Sequence, residues 1–433
     1  MYRISVIGLG KLGLCAAVCF ALKGFKVIGV DIDIDKIEKI NKGISPIEET
    51  GLAELLKKVK GNLKATADYD EAVLNSDVTF IVVATPSLAD GSFSNEYLEK
   101  SLYKIGEVLK KKKAYHLVAV TSTVMPKTMD TVVRFTLEKI SDKKCGRDFG
   151  IAYNPEFIAL GSVIHDFLNP DFILIGEMNK RDGDILEVIY KKTCNNSPRF
   201  ARMSPLNAEI TKISLNCYIT TKITFANSVA SICENVKGAD ANVVLEALGM
   251  DSRIGVKYIK PGLGYGGPCF PRDNVAFSAF ARSLETKAKL AEMVDEVNKD
   301  QIIRVVDKVK EILRKKQTAS IGILGLSYKP NTPIIEDSQA INIVQLLVNE
   351  GYHINVYDPQ AMRNASVVLG NRVKYAKNIN DCLKNTDLGI ILVPWNEFKD
   401  IDFKNLKKDF VLLDCWHIVK NNKIKIKYLG AGE

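Results

Sequence analysis

The stretch GLGYGGPCFPRD at 262–273 places one thiol, Cys269, on backbone turned by glycine and stiffened by proline, with Arg272 and Asp273 close behind. A cysteine that only packs belongs on a helix or a strand. One that attacks needs fixed backbone, nearby cations and access to solvent. The other eight cysteines, at 15, 19, 145, 194, 217, 233, 382 and 415, fall mostly in apolar helical or strand contexts. Cys269 is therefore the candidate nucleophile, with Arg272 as a charge that favours its thiolate. In NAEITKISLNCYITTKITFAN, at 207–227, Lys212 and Asn216 are four apart and share one helix face, with Glu209 three before Lys212 on the same side. Taken alone, that pair also fits an ordinary exposed face.

A second constellation lies at the N-terminus. Gly8, Gly10 and Gly13 of IGLGKLG follow an apolar run and open a helical one, and Asp31 ends the next apolar run 23 residues after Gly8. The first glycine permits the tight turn, the second lets backbone approach a pyrophosphate, and the third allows close helix–strand packing. The pyrophosphate then meets a helix N-terminus. Asp31 would accept from ribose hydroxyls and repel a 2′-phosphate, so NAD is expected over NADP. Tyr218 and Lys222 have the Tyr-x-x-x-Lys spacing of short-chain dehydrogenases, but the glycine fingerprint is of the other Rossmann type and the chain is too long.

These residues must be carried by α/β architecture. Continuous apolar runs at 3–8, 26–31, 78–84, 117–121 and 172–175 suit strands of a parallel sheet buried on both faces. Glu156 follows Asn154-Pro155 at an expected strand end. Long helices are predicted over 206–236 and 285–314, with the glycine-rich loop between them. Alternation then returns with SIGILGL, a helix at 337–350, HINVYDP, LGIILV and FVLLDC. The expectation is two Rossmann-like, doubly wound domains joined by a long-helix dimerisation region: 1–203, 204–314 and 315–433.

The 433 residues carry a net charge of +9. The lysines are spread through helical segments, so solvated helix faces or attraction to an anionic ligand account for the excess. No basic block is interleaved with aromatics, so nucleic acid is not expected. Apolar runs break well before 18 residues, so neither is a membrane span. The N-terminus enters a strand directly, without a signal-peptide pattern. Four histidines and no CxxC pair argue against a metal site, and nine cysteines without paired spacing against a disulfide framework, which points to a reducing cytoplasm.

Over essentially its whole length the chain resembles the nucleotide-sugar 6-dehydrogenases, the group containing UDP-glucose and GDP-mannose dehydrogenases. The matching motifs are IGLGKLG, DGSFSNEYL at 90–98, TSTV at 121–124, NPEF at 154–157, the Lys212/Asn216 helix, DSRIG at 251–255, GYGGPCFPRD, and GLSYKPNT at 325–332. The resemblance implies a four-electron oxidation of a sugar C6 alcohol to a carboxylate, with two NAD⁺ and a cysteine-bound thiohemiacetal and thioester. It implies Cys269 as nucleophile and Lys212 and Asn216 as oxyanion stabilisers. Lys212 and Asp273 would handle the proton and hydrolytic water, with Thr123 and Glu156 in water-positioning or acid–base roles. The cofactor contacts implied are Gly8, Gly10, Lys11, Leu12, Gly13, Asp31, Lys36, Thr85, Pro86, Thr123 and Arg272. The substrate contacts implied are Phe157, Ile158, Leu160, Lys212, Asn216, Arg253, Tyr258, Lys260, Gly264, Tyr265, Gly266, Tyr328 and Lys329, with the C-terminal domain binding the nucleotide sugar. Arg253 matches a position that crosses a dimer interface, and Glu49 lies at a further family loop.

Three positions depart from the family pattern: Leu160 replaces a carboxylate, Phe172 an arginine, and Glu336 an arginine. None is Cys269, Lys212, Asn216 or Asp273, so the reaction class stands while the sugar stays open. UDP-glucose is the default; GDP-mannose and UDP-N-acetylhexosamines are alternatives. A two-electron hydroxyacid dehydrogenase would need neither Cys269 nor a third domain. A non-catalytic NAD or nucleotide-sugar sensor has only the three departures in its favour.

Overall fold

The computed structural model describes residues 2–314, 318–404, 406–420 and 424–432. The chain divides into two compact units, the first ending at Ser214 and the second beginning at Leu215.

The first unit is built on eight strands: β1 Ile4–Ile7, β2 Val27–Val30, β3 Leu63–Thr66, β4 Val78–Ile81, β5 Leu117–Val120, β6 Gly150–Tyr153, β7 Phe172–Glu177 and β8 Arg199–Met203. They lie in the order β3-β2-β1-β4-β5-β6-β7-β8. Neighbours run parallel except β6 and β7, which are antiparallel. Alternate residues of one strand enter different apolar clusters. Leu117 and Ala119 join the core that holds Phe20 and Phe167, and Val118 and Val120 the one that holds Leu102 and Val133. A sheet covered on both faces favours apolar side chains at nearly every position, which is why these strands read as near-continuous apolar runs. The buried exceptions, Ser5 on β1 and Thr79 on β4, hydrogen-bond to each other at 2.6 Å. The doubly wound arrangement expected of this region is what forms.

The second unit carries six strands: β9 Ser320–Leu324, β10 His353–Tyr357, β11 Lys374–Tyr375, β12 Leu388–Ile391, β13 Val411–Asp414 and β14 Lys425–Tyr428. Their order is β11-β10-β9-β12-β13-β14, and every pairing is parallel. The expected long helices are Pro205–Glu234 and Lys289–Leu313, with Phe270–Ser283 between them in sequence. The second begins later than 285 because Glu285 adopts a left-handed turn, φ +56°. The expected boundary at 314/315 abuts residues 315–317, which lie outside the described residues.

Candidate active site

In the first unit the strand order reverses between β1 and β4, and an open α/β sheet binds its ligand in the crevice at the carboxyl ends beside such a reversal. Gly8 follows β1, Asp31 follows β2, Thr85 and Pro86 lie beyond β4, and Thr123 lies beyond β5. The three glycines differ in what surrounds them. Gly8 has φ +92° and a side chain there would strike the Val82 carbonyl; one at Gly13 would strike the Gly8 carbonyl; one at Gly10 would meet nothing within 4 Å. Gly10 therefore keeps space open toward solvent, where a pyrophosphate needs backbone approach. The helix Lys11–Leu22 starts at that point with no side-chain cap and no acid in its first turn, and Lys11 and Leu12 are half-buried there.

Asp31 accepts from Leu9 N–H at 2.9 Å and Lys36 Nζ at 3.0 Å through one oxygen, and from Asp33 N–H at 3.1 Å through the other. Burial works against its charge, but these donors prevail and hold the carboxyl below its ordinary range. A carboxylate has about four lone-pair sites, so capacity remains for ribose hydroxyls. Lys36 is paired to Asp31. Thr85 Oγ1 donates to the Thr123 carbonyl at 2.7 Å, tying together the loops after β4 and β5, and Pro86 is exposed. These residues fit NAD.

Beyond β6 the chain turns through Asn154 and Pro155 to Glu156. Burial, opposed by Tyr190 and by the Lys212 charge, raises the Glu156 carboxyl to about 7. Lys212 Nζ donates to the Glu156 main-chain oxygen at 2.5 Å and lies 4.4 Å from the Phe157 ring centre. Phe157 stacks in turn on Phe172, centroids 4.9 Å apart. The aromatic that replaces the family arginine at 172 thus supports the ring over which Lys212 sits. Ile158 and Leu160 pack against the core of the first unit. Glu49 accepts from the N–H groups of Gly161 and Val163, both at 3.1 Å, and so fixes the end of this loop. Glu209 accepts from Lys127 and Met129 N–H at 2.8 and 2.7 Å, and burial raises it to about 7.

In the second unit Cys269 caps the helix Phe270–Ser283, which has proline in its first turn. A helix N-terminus favours negative charge, and Arg272 lies in the same turn. Of nine cysteines, seven are buried, Cys145 is half-buried and Cys269 is exposed. Burial pushes Cys19 and Cys217 up to about 12, and Cys145 and Cys194 up to about 11. Asn216 Nδ2 donates to Asp273 Oδ2 at 2.6 Å, and Arg272 Nε lies 3.7 Å from Asp273 Oδ1. Lys212 and Asn216 are each 7% exposed, which rules out the reading of an ordinary solvated pair.

The glycines before Cys269 have protein, not solvent, where a side chain would be. At Gly262 it would lie 2.6 Å from the Trp416 ring; at Gly264 it would strike Asn298; at Gly266, the Asp337 carbonyl; at Gly267, the Tyr328 ring. Tyr265 is buried, and its hydroxyl accepts from Asn274 Nδ2 at 2.9 Å. Tyr258, with φ +63°, and Lys260 are exposed, and Arg253 pairs with Asp251 at 2.6 Å. Lys329 Nζ lies 5.9 Å from the centre of the Tyr328 ring. Sequence reasoning did not single out Tyr190, whose hydroxyl lies 2.8 Å from Glu156. No local spacing reveals a partner 34 residues away.

Comparison with known proteins agrees with the motif resemblance. Three family models match in order: the NAD binding domain of the UDP-glucose/GDP-mannose dehydrogenase family over residues 2–194, its central domain over 206–300, and its UDP binding domain over 322–421. UDP-glucose 6-dehydrogenase of Haloferax volcanii is 37% identical over 421 residues, covering 96% of this chain and 97% of that protein. GDP-mannose 6-dehydrogenase of Pseudomonas aeruginosa is 36% identical over 82% of this chain and 81% of its own. The solved UDP-glucose dehydrogenase of Pyrobaculum islandicum superposes with a TM-score of 0.90 at 34% identity, covering 100% of this chain and 98% of its own. Among the described residues, no helix is long and apolar enough to cross a membrane.

Proposed function

The chain belongs to the UDP-glucose/GDP-mannose dehydrogenase family, and from that premise we propose that it oxidises the C6 alcohol of a nucleotide sugar to the uronate, with UDP-glucose the first substrate to test. One observation carries the four-electron reading: the single exposed thiol of nine caps a helix beside Arg272 and Asp273, in an oxidoreductase with an NAD-binding domain. UDP-glucose is favoured over GDP-mannose because the relative named for it matches over more of the chain, 96% against 82%.

NAD, when bound over Gly10 and beside Asp31, supplies hydride acceptance for both oxidations. The first oxidation leaves an aldehyde. Cys269 thiolate adds to its carbonyl carbon, so a C–S bond forms and the carbonyl electron pair moves to oxygen. Lys212 and Asn216 stabilise that oxyanion. Loss of the second hydride gives a thioester, and water cleaves its C–S bond to release the carboxylate and regenerate Cys269. Asp273, Lys212 and Glu156 handle the protons of these steps, and Thr123 positions water. Phe157, Ile158, Leu160, Tyr258, Lys260, Tyr265, Tyr328 and Lys329, with Gly264 and Gly266, form the substrate surface.

We assign the domains 1–203, 204–314 and 315–433. Tyr218, Phe225 and Ile232 recur every seven residues on the Pro205–Glu234 helix and are 65%, 52% and 66% exposed, which supports a homodimer through that face, with Arg253 reaching the neighbouring site. None of the nine cysteines forms a disulfide, in keeping with a reducing cytoplasm.

The test is NADH yield from UDP- and GDP-sugars followed to completion. Two NADH per sugar supports the reading; one refutes the thioester route, and none from any sugar leaves the sensor. Cys269→Ser should stop turnover with NAD affinity intact, and full activity in that variant removes covalent catalysis.

A further inference from the structure

The Tyr190 hydroxyl lies 2.7 Å from Asn154 Oδ1 and 2.8 Å from Glu156 Oε1. A phenol carries one proton, so it donates to one of these oxygens at a time. Asn154 cannot turn to offer a donor instead, because its Nδ2 donates to the Leu174 carbonyl at 2.9 Å, and a carbonyl only accepts. Asn154 and Tyr190 are each 1% exposed, so water does not replace a lost partner. One state satisfies these three oxygens together: Glu156 is neutral and donates from Oε1 to the Tyr190 oxygen, while Tyr190 donates to Asn154 Oδ1. When Glu156 ionises, Tyr190 must turn its proton toward the carboxylate, and Asn154 Oδ1 is left buried without a donor, which costs free energy.

We propose that Asn154 and Tyr190 form a two-position hydrogen-bond latch that holds Glu156 as an acid and resets when the Tyr190 hydroxyl rotates. This rests on the reading of Glu156 as an acid–base group in the reaction. Its Oε1–H bond breaks as the proton passes to a substrate oxygen or to water, and the Tyr190 proton swings from Asn154 to the new carboxylate. The reverse occurs when Glu156 takes a proton from the hydrolytic water. No electrons are exchanged. Asn154 and Tyr190 are positioning residues.

The groups facing the carboxyl come from several elements. Lys212, on the long helix, favours the ionised form. Cys19, on the Lys11–Leu22 helix, and Cys194, after the Lys180–Thr193 helix, are coupled to it and to Lys23, and burial keeps both thiols neutral. Burial of the carboxyl outweighs the Tyr190 hydrogen bond and the Lys212 charge, which both favour the ionised form, and Asn154 limits the first by competing for the one Tyr190 proton.

The test follows the carboxylic C=O infrared band of the whole protein through neutral pH, assigned to Glu156 by its loss in Glu156→Gln. Asn154→Ala should free Tyr190 to donate to the carboxylate and lower the titration midpoint by about one unit, a tenfold change in proton affinity. In a Tyr190→Phe background, Asn154→Ala should have less than about a third of that effect. No shift in the first case, or equal shifts in both, overturns the latch. Should Asn154→Ala fail to fold, Tyr190→Phe alone decides: the band of the neutral acid must move as its acceptor is lost, and an unmoved band overturns the proposal. Full turnover in Glu156→Gln would remove the acid–base role of Glu156, while the infrared titration still decides the latch.

Discussion

Each unit begins its sheet in the same way. In both, six strands run in the order 3-2-1-4-5-6 when numbered within the unit, although the first sheet continues with two more. In both, a glycine with positive φ follows the first strand, Gly8 at +92° and Gly325 at +98°, and an aspartate follows the second, Asp31 and Asp358. In both, that aspartate accepts the N–H one residue beyond the glycine, Leu9 at 2.9 Å and Leu326 at 2.8 Å. The likeness stops there. The next helix starts at Lys11 in the first unit, but only at Gln339 in the second. Asp31 has three donors. Asp358, 1% exposed, has six: Leu326, Ser327, Gln360 and Ala361 N–H, the Ser327 hydroxyl and Trp395 Nε1. A carboxylate with about four lone-pair sites has none left for a ligand under that load. The same acid at the same topological position keeps capacity for a ligand in one half and is an internal tie in the other. The number of protein donors that reach it decides which.

The largest expected effect tests that tie. Asp358→Ala should lower unfolding free energy by on the order of 3 kcal/mol, because several buried donors lose their acceptor together. Asp31→Ala should cost less than half as much in urea unfolding while weakening NAD binding. Equal stability losses would break the contrast. The glycines give the next effect. Gly325→Ala puts a side chain 2.5 Å from Val393 Cβ at a left-handed backbone and should destabilise by about 2 kcal/mol. Gly10→Ala should leave unfolding unchanged and weaken NAD by about tenfold or more, read by calorimetry, since about 1.4 kcal/mol suffices for that factor. An alanine at 10 that binds NAD normally would place the pyrophosphate elsewhere. Asp31→Ser should then shift NAD-over-NADP preference by about tenfold, sharpening the assignment of Asp31 as the ribose acceptor.

The smallest effect concerns pH and the first unit. Burial raises Glu209 from 4.5 to about 7 in the fold, so the native state binds more protons than the unfolded chain between those values. Its contribution to stability is full below the unfolded value and is lost as pH rises through about 7. Thermal unfolding should show stability falling by on the order of 1 kcal/mol across that window, with a shallower slope in Glu209→Gln. An unchanged slope in that variant would assign the pH dependence to other groups.

The strands that the sequence did not reveal are β3, β8, β11 and β14, which are the outermost strands of the two sheets. Their sequences, LKAT, RFARM, KY and KIKY, mix lysine and arginine with apolar residues because an edge faces solvent and is blunted by charge. The interior strands stood out because burial on both faces leaves mostly apolar residues. The cysteine loop was legible for a related reason, since glycine and proline mark backbone that cannot be regular. What its glycines face was not legible. Those at 262–267 admit Trp416, Asn298, Asp337 and Tyr328, whereas Gly10 admits open space.

Turn geometry and helix spacing are local, so residue order alone placed the Gly8–Gly13 turn, the constrained loop that carries Cys269, and Lys212 and Asn216 one turn apart. That Cys269 starts a helix came from the structure. Burial and hydrogen-bond satisfaction are not local. Whether Asp31 or Asp358 retains capacity for a ligand, and whether Glu156 holds its proton, depends on donors and acceptors delivered from distant segments: Trp395 to Asp358, and Tyr190 to Glu156. Residue type sets what a group can exchange, and the packed neighbours set whether any of that capacity is left over.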